Sequence, residues 1–243
     1  MNGPLARLAA SVTAHPWRWA AVPLAALTLF PSIDITVSSW FYDPVYEGFR
    51  ARVWALPEWV RRALPYYLLG LAASVALLWL AGEVAGRALL GVSRRVGAYL
   101  LLSLALGPGL VVNVLLKDNW GRPRPSTIAE FGGPLTYSPP LVFSGQCDHN
   151  CSFPSGHAAL AFWLVSFALL APPRRRPLLV AVTVAAGLAV GLSRVAQGGH
   201  FVSDVAFSAA ITIGIALWLR RRLLGPAVAA SSKNNAAPGD GAL

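Results

Sequence analysis

Apolar residues dominate six stretches of the chain, at 17–33, 64–82, 96–116, 157–171, 178–196 and 201–219. Several approach the roughly 20 residues needed to cross a hydrocarbon layer. Between them lie arginine clusters, proline-rich turns and two longer polar segments, 34–63 and 117–156. The pattern predicts an all-α fold, a polytopic membrane bundle of about six transmembrane helices. Gly107-Pro108-Gly109 inside the third run predicts a kink. Gly187 and Gly191, and likewise Ala206, Ala210 and Gly214, recur at four-residue spacing and predict close helix–helix approach.

Segment 34–63 breaks the pattern. Trp40, Phe41, Tyr42, Tyr46, Phe49, Trp54 and Trp59 alternate with Arg50, Arg52, Arg61 and Arg62. Rings interleaved with basic groups suit a headgroup layer and predict interfacial helices, an exposed loop being the alternative. Residues 1–16 form a short basic lead with Arg7 and no strong cleavage signature, so the first run reads as an anchor rather than a removed leader. Residues 1–224 read as one membrane domain. Residues 225–243, rich in Ala, Ser, Asn, Gly and Pro, read as a disordered tail.

Composition agrees: hydrophobic residues make up 56% of the 243 and charged residues 12%, with mean hydropathy +0.56. The net charge of +10 does not indicate nucleic acid, because the arginines fall in short clusters between apolar runs. With six spans, Arg7, Arg87, Arg94, Arg95, Arg174 to Arg176 and Arg220 to Arg222 share the side of the termini. Arg50, Arg52, Arg61 and Arg62, diluted by Asp34, Asp43, Glu47 and Glu58, fall on the other. The positive-inside rule puts the termini in the cytoplasm and the two polar segments outside, in the periplasm of a bacterial inner membrane.

Three short segments on that outer side carry chemistry. The first opens at Lys117 and runs to Arg124-Pro125. Two cations at a membrane boundary can hold an anion, although Lys117 alone also reads as a snorkelling anchor. Asn113, one turn earlier, is expected to point at the same place. The second is Phe153-Pro154-Ser155-Gly156-His157. Ser155 is a candidate N-cap, Gly156 opens backbone N–H groups to an anion, and His157 can protonate a departing alkoxide. Capping alone would explain the serine but not the histidine. The third is Ser193-Arg194-Val195-Ala196-Gln197-Gly198-Gly199-His200-Phe201-Val202-Ser203-Asp204. If Phe201 opens a helix, Asp204 lies one turn from His200 and can accept its Nδ1–H, leaving Nε2 as base or nucleophile. Arg194 can supply forked donors to a phosphate. A loop histidine merely tied to a helix start is the alternative. His15 and His149 match no motif.

In order and spacing, these three segments resemble the signature motifs of the type 2 phosphatidic acid phosphatase superfamily. The resemblance implies a PAP2/haloperoxidase-like core and hydrolysis of a lipid phosphate. It casts His200 as a nucleophile that becomes phosphohistidine, Asp204 as its orienting carboxylate and His157 as general acid. Lys117, Arg124, Ser155, Gly156 and Arg194 become phosphate ligands. No metal or other cofactor is implied, since fixed cations stabilise in-line displacement. The run Glu130-Phe131-Gly132-Gly133, the stretch Cys147 to Phe153 and Asp34 to Asp43 are similar to the lipid A 4′-phosphatase branch, which favours a lipid A-type substrate.

Cys147 and Cys151 both lie in the predicted outer loop. An oxidising periplasm favours a disulfide there, with free thiols or a partial metal site as alternatives. Within the lipid phosphatases, undecaprenyl pyrophosphate, phosphatidylglycerophosphate and phosphatidic acid compete as substrates. A non-catalytic phospholipid-binding or transport protein would need the cations but not His157, His200 and Asp204 together. A vanadate-dependent oxidase would share the site type, but so apolar a chain argues against it. The expected partners are therefore a phosphorylated membrane lipid and the bilayer.

Overall fold

The computed structural model describes residues 16–225. The basic lead with Arg7, His15 and the tail beyond Gly225 lie outside the described residues. Helix α1 spans Pro16–Leu29 and α2 Ser32–Ser39, and the chain bends by 91° between them. The predicted first run is thus two helices. Pro31 has no N–H to continue the ladder, and its ring would clash with the preceding turn.

A two-residue hairpin follows, β1 (Tyr42–Asp43) against β2 (Gly48–Phe49), tightened by Asp43 accepting the N–H groups of Val45 and Tyr46. The aromatic segment divides here. Trp40, Trp54 and Trp59 are exposed, whereas Phe41, Tyr42 and Phe49 turn inward against Ile128, Phe131 and Phe201. After a 3₁₀ turn at Arg50–Arg52, α3 runs over Ala55–Ala85. It begins nine residues before the apolar run does, because Glu58 pairs with Arg61 and Arg62 on the helix's own surface. At 1.5 Å per residue, its 31 residues measure about 46 Å, against about 30 Å of hydrocarbon. Its first turns therefore have length to spare above the membrane.

Helix α4 (Arg94–Leu104) continues as a π-helix over Ala105–Lys117. Wider winding takes the place of the predicted kink: Pro108 cannot donate, and its carbonyl instead accepts the side-chain amide of Asn113, five residues on, at 2.7 Å. Then come α5 (Gly156–Phe162), α6 (Val165–Ala168), α7 (Arg176–Ala196) and α8 (Val202–Leu223). Among the described residues, four helices are long and apolar enough to cross a membrane: α3, α4 with its π extension, α7 and α8. The bent α1–α2 pair makes a fifth if counted as one span. Leu69, Leu77, Leu80, Val114, Leu188 and Leu192 stand exposed on these helices, as lipid-facing side chains would. The protein is a multi-pass membrane protein.

The predicted fourth span corresponds to a short central element. Residues Gly156–Ala168 reach only about 20 Å along a helix. Helix α5 packs on α7, α8 and the π-helical stretch, with Ala158 and Phe162 fully buried against Val195 and Val205. Trp163, also fully buried, ties the α5–α6 junction to α4 by donating its indole N–H to the Leu100 carbonyl at 3.0 Å. The predicted small face of α7 is used here. A Cβ on Gly187 would strike the Phe162 ring, and one on Gly191 would strike Val205. Close approach gains dispersion contacts where lipid offers no hydrophobic drive.

Candidate active site

The ends of α4, α5, α7 and α8 bring the three predicted segments together. His200 sits in the short connection between α7 and α8 and is buried. Gly198, at φ +62°, and Gly199 turn the chain into that position. A Cβ on Gly199 would fall 2.5 Å from the Arg194 guanidinium, which folds beneath the backbone here.

The Nδ1 of His200 donates to the backbone carbonyl of Ser152 at 2.7 Å. A carbonyl can only accept, so the proton is fixed on Nδ1 and Nε2 is left with its lone pair. Burial pushes the imidazole down to about 3, with Lys117 adding to it and Asp204 pulling the other way. His200 is neutral at physiological pH.

Asp204 does not make the predicted hydrogen bond. Its Oδ2 lies 3.7 Å from Nδ1 and is taken up by the Ser152 hydroxyl at 2.5 Å and the Phe201 N–H at 2.8 Å. Its Oδ1 accepts from Arg122 at 2.5 Å. Ser152 is the intermediary. Its N–H goes to the Arg122 carbonyl, its hydroxyl to Asp204, and its carbonyl receives His200.

Arg122 is wholly buried and its guanidinium is fully used. It donates to the Ser138 carbonyl, the Ser203 hydroxyl, Asp204 and Asp34, and stacks 4.4 Å from the Phe201 ring centroid. Burial alone would weaken its hold on the proton; Asp204 and Asp34 more than offset this and raise it above the ordinary value. Asp34, on α2, also caps α8 by accepting the Ser203 N–H at 2.9 Å.

The predicted phosphate ligands surround this centre. The Lys117 ammonium donates to the Cys151 carbonyl at 3.1 Å, and Arg124 to the Asn150 carbonyl at 2.5 Å. Burial, and then Arg52 beside it, lowers the pKa of Arg124. Ser155 caps α5 by accepting the Ala158 N–H. The side-chain oxygen of Asn113 lies where a Cβ on Gly156 would approach to 2.7 Å, so Asn113 packs against the start of α5. Arg194 is buried and bonded through Nη1 to the Gln197 side chain. Among the described residues, the Arg194 Nε and Gln197 Nε2 donors have no partner. Two orphaned buried donors beside a cleft are what an anion's oxygens would satisfy. His157 points its Nε2 at the Arg61 carbonyl, 2.9 Å away, which joins it to α3.

A cleft of about 280 Å³ opens over this assembly, lined by Arg52, Glu58, Arg61, Arg124, Arg194, Gln197 and Gly199. Arg52 reaches it by donating to the Gln197 carbonyl at 3.0 Å. Cys147 and Cys151 are joined by a disulfide, closing the loop whose carbonyls hold Lys117 and Arg124. Sequence reasoning missed Asp34, Arg122, Ser152 and Gln197 as parts of the site, and Arg52 and Arg61 as cleft walls. Three of them carried a signal: Arg122 lies inside the first segment, Ser152 directly precedes the second and Gln197 lies inside the third.

Cations converging on a buried neutral histidine at the end of a membrane bundle suit a phosphoryl group carried by a lipid, and so a membrane phosphatase. The chain belongs to the PAP2 superfamily, whose family model matches residues 97–224. It is 36% identical over 199 residues to the lipid A 4′-phosphatase of Francisella tularensis subsp. novicida, covering 79% of this chain and 86% of that protein. It is 32% identical to the lipid A 4′-phosphatase of Rhizobium leguminosarum, over 78% of this chain and 86% of that one. Phosphatidylglycerophosphatase B of Escherichia coli K12 matches at 34% over 37% of each chain. No solved structure gives a significant match.

Proposed function

We propose that this protein is an integral-membrane phosphatase that removes a phosphomonoester from a lipid A-type headgroup at the outer face of the inner membrane. The observation that carries the chemistry is the Ser152 carbonyl fixing the His200 tautomer with Nε2 free. The Nε2 lone pair attacks phosphorus, the bond from phosphorus to the lipid oxygen breaks, and that oxygen takes a proton from His157. Water, losing its proton to His157, then attacks the phosphohistidine, and His200 leaves with its lone pair restored. Lys117, Arg124, Arg194 and the start of α5 at Ser155 and Gly156 hold the phosphoryl oxygens.

Lipid A is favoured because the relatives so named align over more than three-quarters of the chain, against about a third for phosphatidylglycerophosphatase B. Six crossings are favoured, with the short α5–α6 element screened from lipid by its neighbours. The arginine distribution supports cytoplasmic termini. Arg87, Arg94, Arg95, Arg174, Arg175, Arg176 and Arg220 to Arg222 gather at one set of helix ends, and the site lies at the other.

Phosphate release from lipid A, undecaprenyl pyrophosphate, phosphatidylglycerophosphate and phosphatidic acid, with acid-quench trapping of label, tests this reading. Preferred release from lipid A, with acid-labile label that His200→Ala abolishes, is expected. Label retained on His200→Ala would reject the nucleophile, and preference for another lipid would reject the substrate. Binding without turnover would make the protein a carrier.

A further inference from the structure

Asp204 and Arg122 sum to zero charge, and both are buried without access to water. If they were alone, the ring of His200 would lack a counter-charge when phosphorylation makes it cationic. Asp34 changes that sum. It lies 169 residues before Ser203 and takes the other Nη of Arg122 at 2.7 Å. The donors that Asp34 accepts from are the Ser203 N–H at 2.9 Å, the Ser203 hydroxyl at 2.6 Å and Arg122 at 2.7 Å, while the Tyr137 hydroxyl, 3.1 Å away, shares its one proton with the Pro31 carbonyl at 2.9 Å. The Ser203 hydroxyl already accepts from Arg122 at 2.9 Å, so its own proton goes to Asp34. A guanidinium and two Ser203 donors converging on one buried carboxyl favour its ionised form. Asp34, Arg122 and Asp204 therefore carry one net negative charge.

We propose that Asp34 is a positioning residue of the reaction, returning to the His200 environment the negative charge that Arg122 cancels on Asp204. The inference rests on His200 being the nucleophile. When Nε2 takes the phosphoryl group and Nδ1 keeps its proton, the ring becomes cationic, and only in that form is it a good leaving group for water's attack. Most other charges around the ring oppose the cation: Lys117 from the π-helical stretch, Arg124 from the loop, Arg194 from α7, and Arg52 and Arg61 lining the cleft above; the acid in that lining, Glu58 on α3, is paired with Arg61 and Arg62. The counter-charge comes from Asp204 on α8 and, through Arg122, from Asp34 on α2, with Tyr137 bonded between them.

The test is kcat against pH for purified enzyme in detergent, with an aryl phosphate so that phosphoenzyme breakdown limits turnover. Asp34→Asn is isosteric and keeps its acceptor for the Ser203 N–H. Its kcat should fall about tenfold at pH 8 with KM unchanged, and its alkaline limb should move down by about one pH unit. Asp34→Glu should return the limb. Adding Arg122→Met to Asp34→Asn leaves Asp204 alone with its charge, so the limb should return there too, despite lower thermal stability. An unmoved limb in Asp34→Asn, or a folded double variant shifted further than the single one, overturns the role of Asp34. If the double variant does not fold, the limbs of Asp34→Asn and Asp34→Glu decide. Wild-type protein that takes no acid-labile label would instead overturn the nucleophile on which the proposal stands.

Discussion

His200 gives its Nδ1 proton to the Ser152 carbonyl at 2.7 Å, so a backbone atom sets the tautomer that the chemistry needs. Asp204 acts one step behind, by holding the Ser152 hydroxyl and Arg122 in place. Ser152→Ala keeps the carbonyl and loses only its tether to Asp204. A hydrogen bond to a charged group contributes about 1.5–3 kcal/mol, so kcat should fall ~10- to 100-fold if that tether governs the carbonyl's position. Asp204→Asn disturbs Arg122, Phe201 and Ser152 together and should cost more. Steady-state kinetics on both variants check the order, and equal defects would mean that Ser152 is not the intermediary.

Burial that pushes His200 down to about 3 has a pH signature in stability. The unfolded imidazole titrates near 6.5, so between about 6.5 and 3 the unfolded chain binds a proton that the folded protein refuses. Stability is therefore lost as pH falls through that window, by up to about 1.4 kcal/mol per pH unit. His200→Gln removes this term while keeping a donor for Ser152. The melting temperature of wild-type protein should drop relative to His200→Gln between pH 6 and pH 4, and parallel curves would contradict a buried neutral histidine.

The disulfide should matter to substrate capture. Cys151 and Asn150, at the end of the loop it closes, supply the carbonyls that hold Lys117 and Arg124. Cys147→Ser, or reduction of the native protein, lets those carbonyls drift and the cations with them. KM should rise about tenfold, the equivalent of one charge-assisted hydrogen bond, with a smaller change in kcat. Assays before and after reduction, with Cys147→Ser as the reduction-insensitive control, measure this.

Lys117, Arg124 and Arg194 bring fixed positive charge to the place where a metal would otherwise bring it. Turnover should persist in EDTA and be blocked by vanadate, whose trigonal-bipyramidal form resembles phosphorus during displacement. Strict dependence on added Mg²⁺ would refute this.

The readable parts of the chain were those where chemistry and pattern coincide. His200 and Asp204 stand one helical turn apart, Ser155 caps α5, and the apolar runs at 96–116, 178–196 and 201–219 became helices with nearly the same bounds. Asp34 was not readable: among aromatic residues beside an apolar run it looks like one more interfacial carboxylate, and only tertiary packing buries it against Arg122. Arg122 hid for the opposite reason, because between Lys117 and Arg124 it counts as another exposed cation. The run at 157–171 did not show how short and enclosed its helices are, because hydropathy is the same for a side chain facing lipid and one packed among neighbouring helices. Early α3 was hidden by Glu58, Arg61 and Arg62, whose mutual pairing lets a charged sequence stay helical.

His157 is the residue whose structural setting most sharpens its test. Its Nε2 meets the Arg61 carbonyl at 2.9 Å, so the proton meant for a leaving oxygen is held by α3 while the site is at rest. A bound lipid phosphate whose leaving oxygen displaces that carbonyl would take over the same proton. His157→Ala should then slow the first step by ~10²- to 10⁴-fold on a lipid phosphate, the usual range for a general acid. An aryl phosphate leaves without much protonation, so on that substrate the defect should shrink to about tenfold or less. His157→Gln separates the two duties of the side chain. It can still donate to the Arg61 carbonyl and hold α3 over the cleft, but it cannot deliver a proton. If Gln behaves like Ala on the lipid and both recover on the aryl substrate, acid catalysis is the role. Equal losses on the two substrates, with activity restored by Gln, would instead mean that His157 serves only to hold α3 in place.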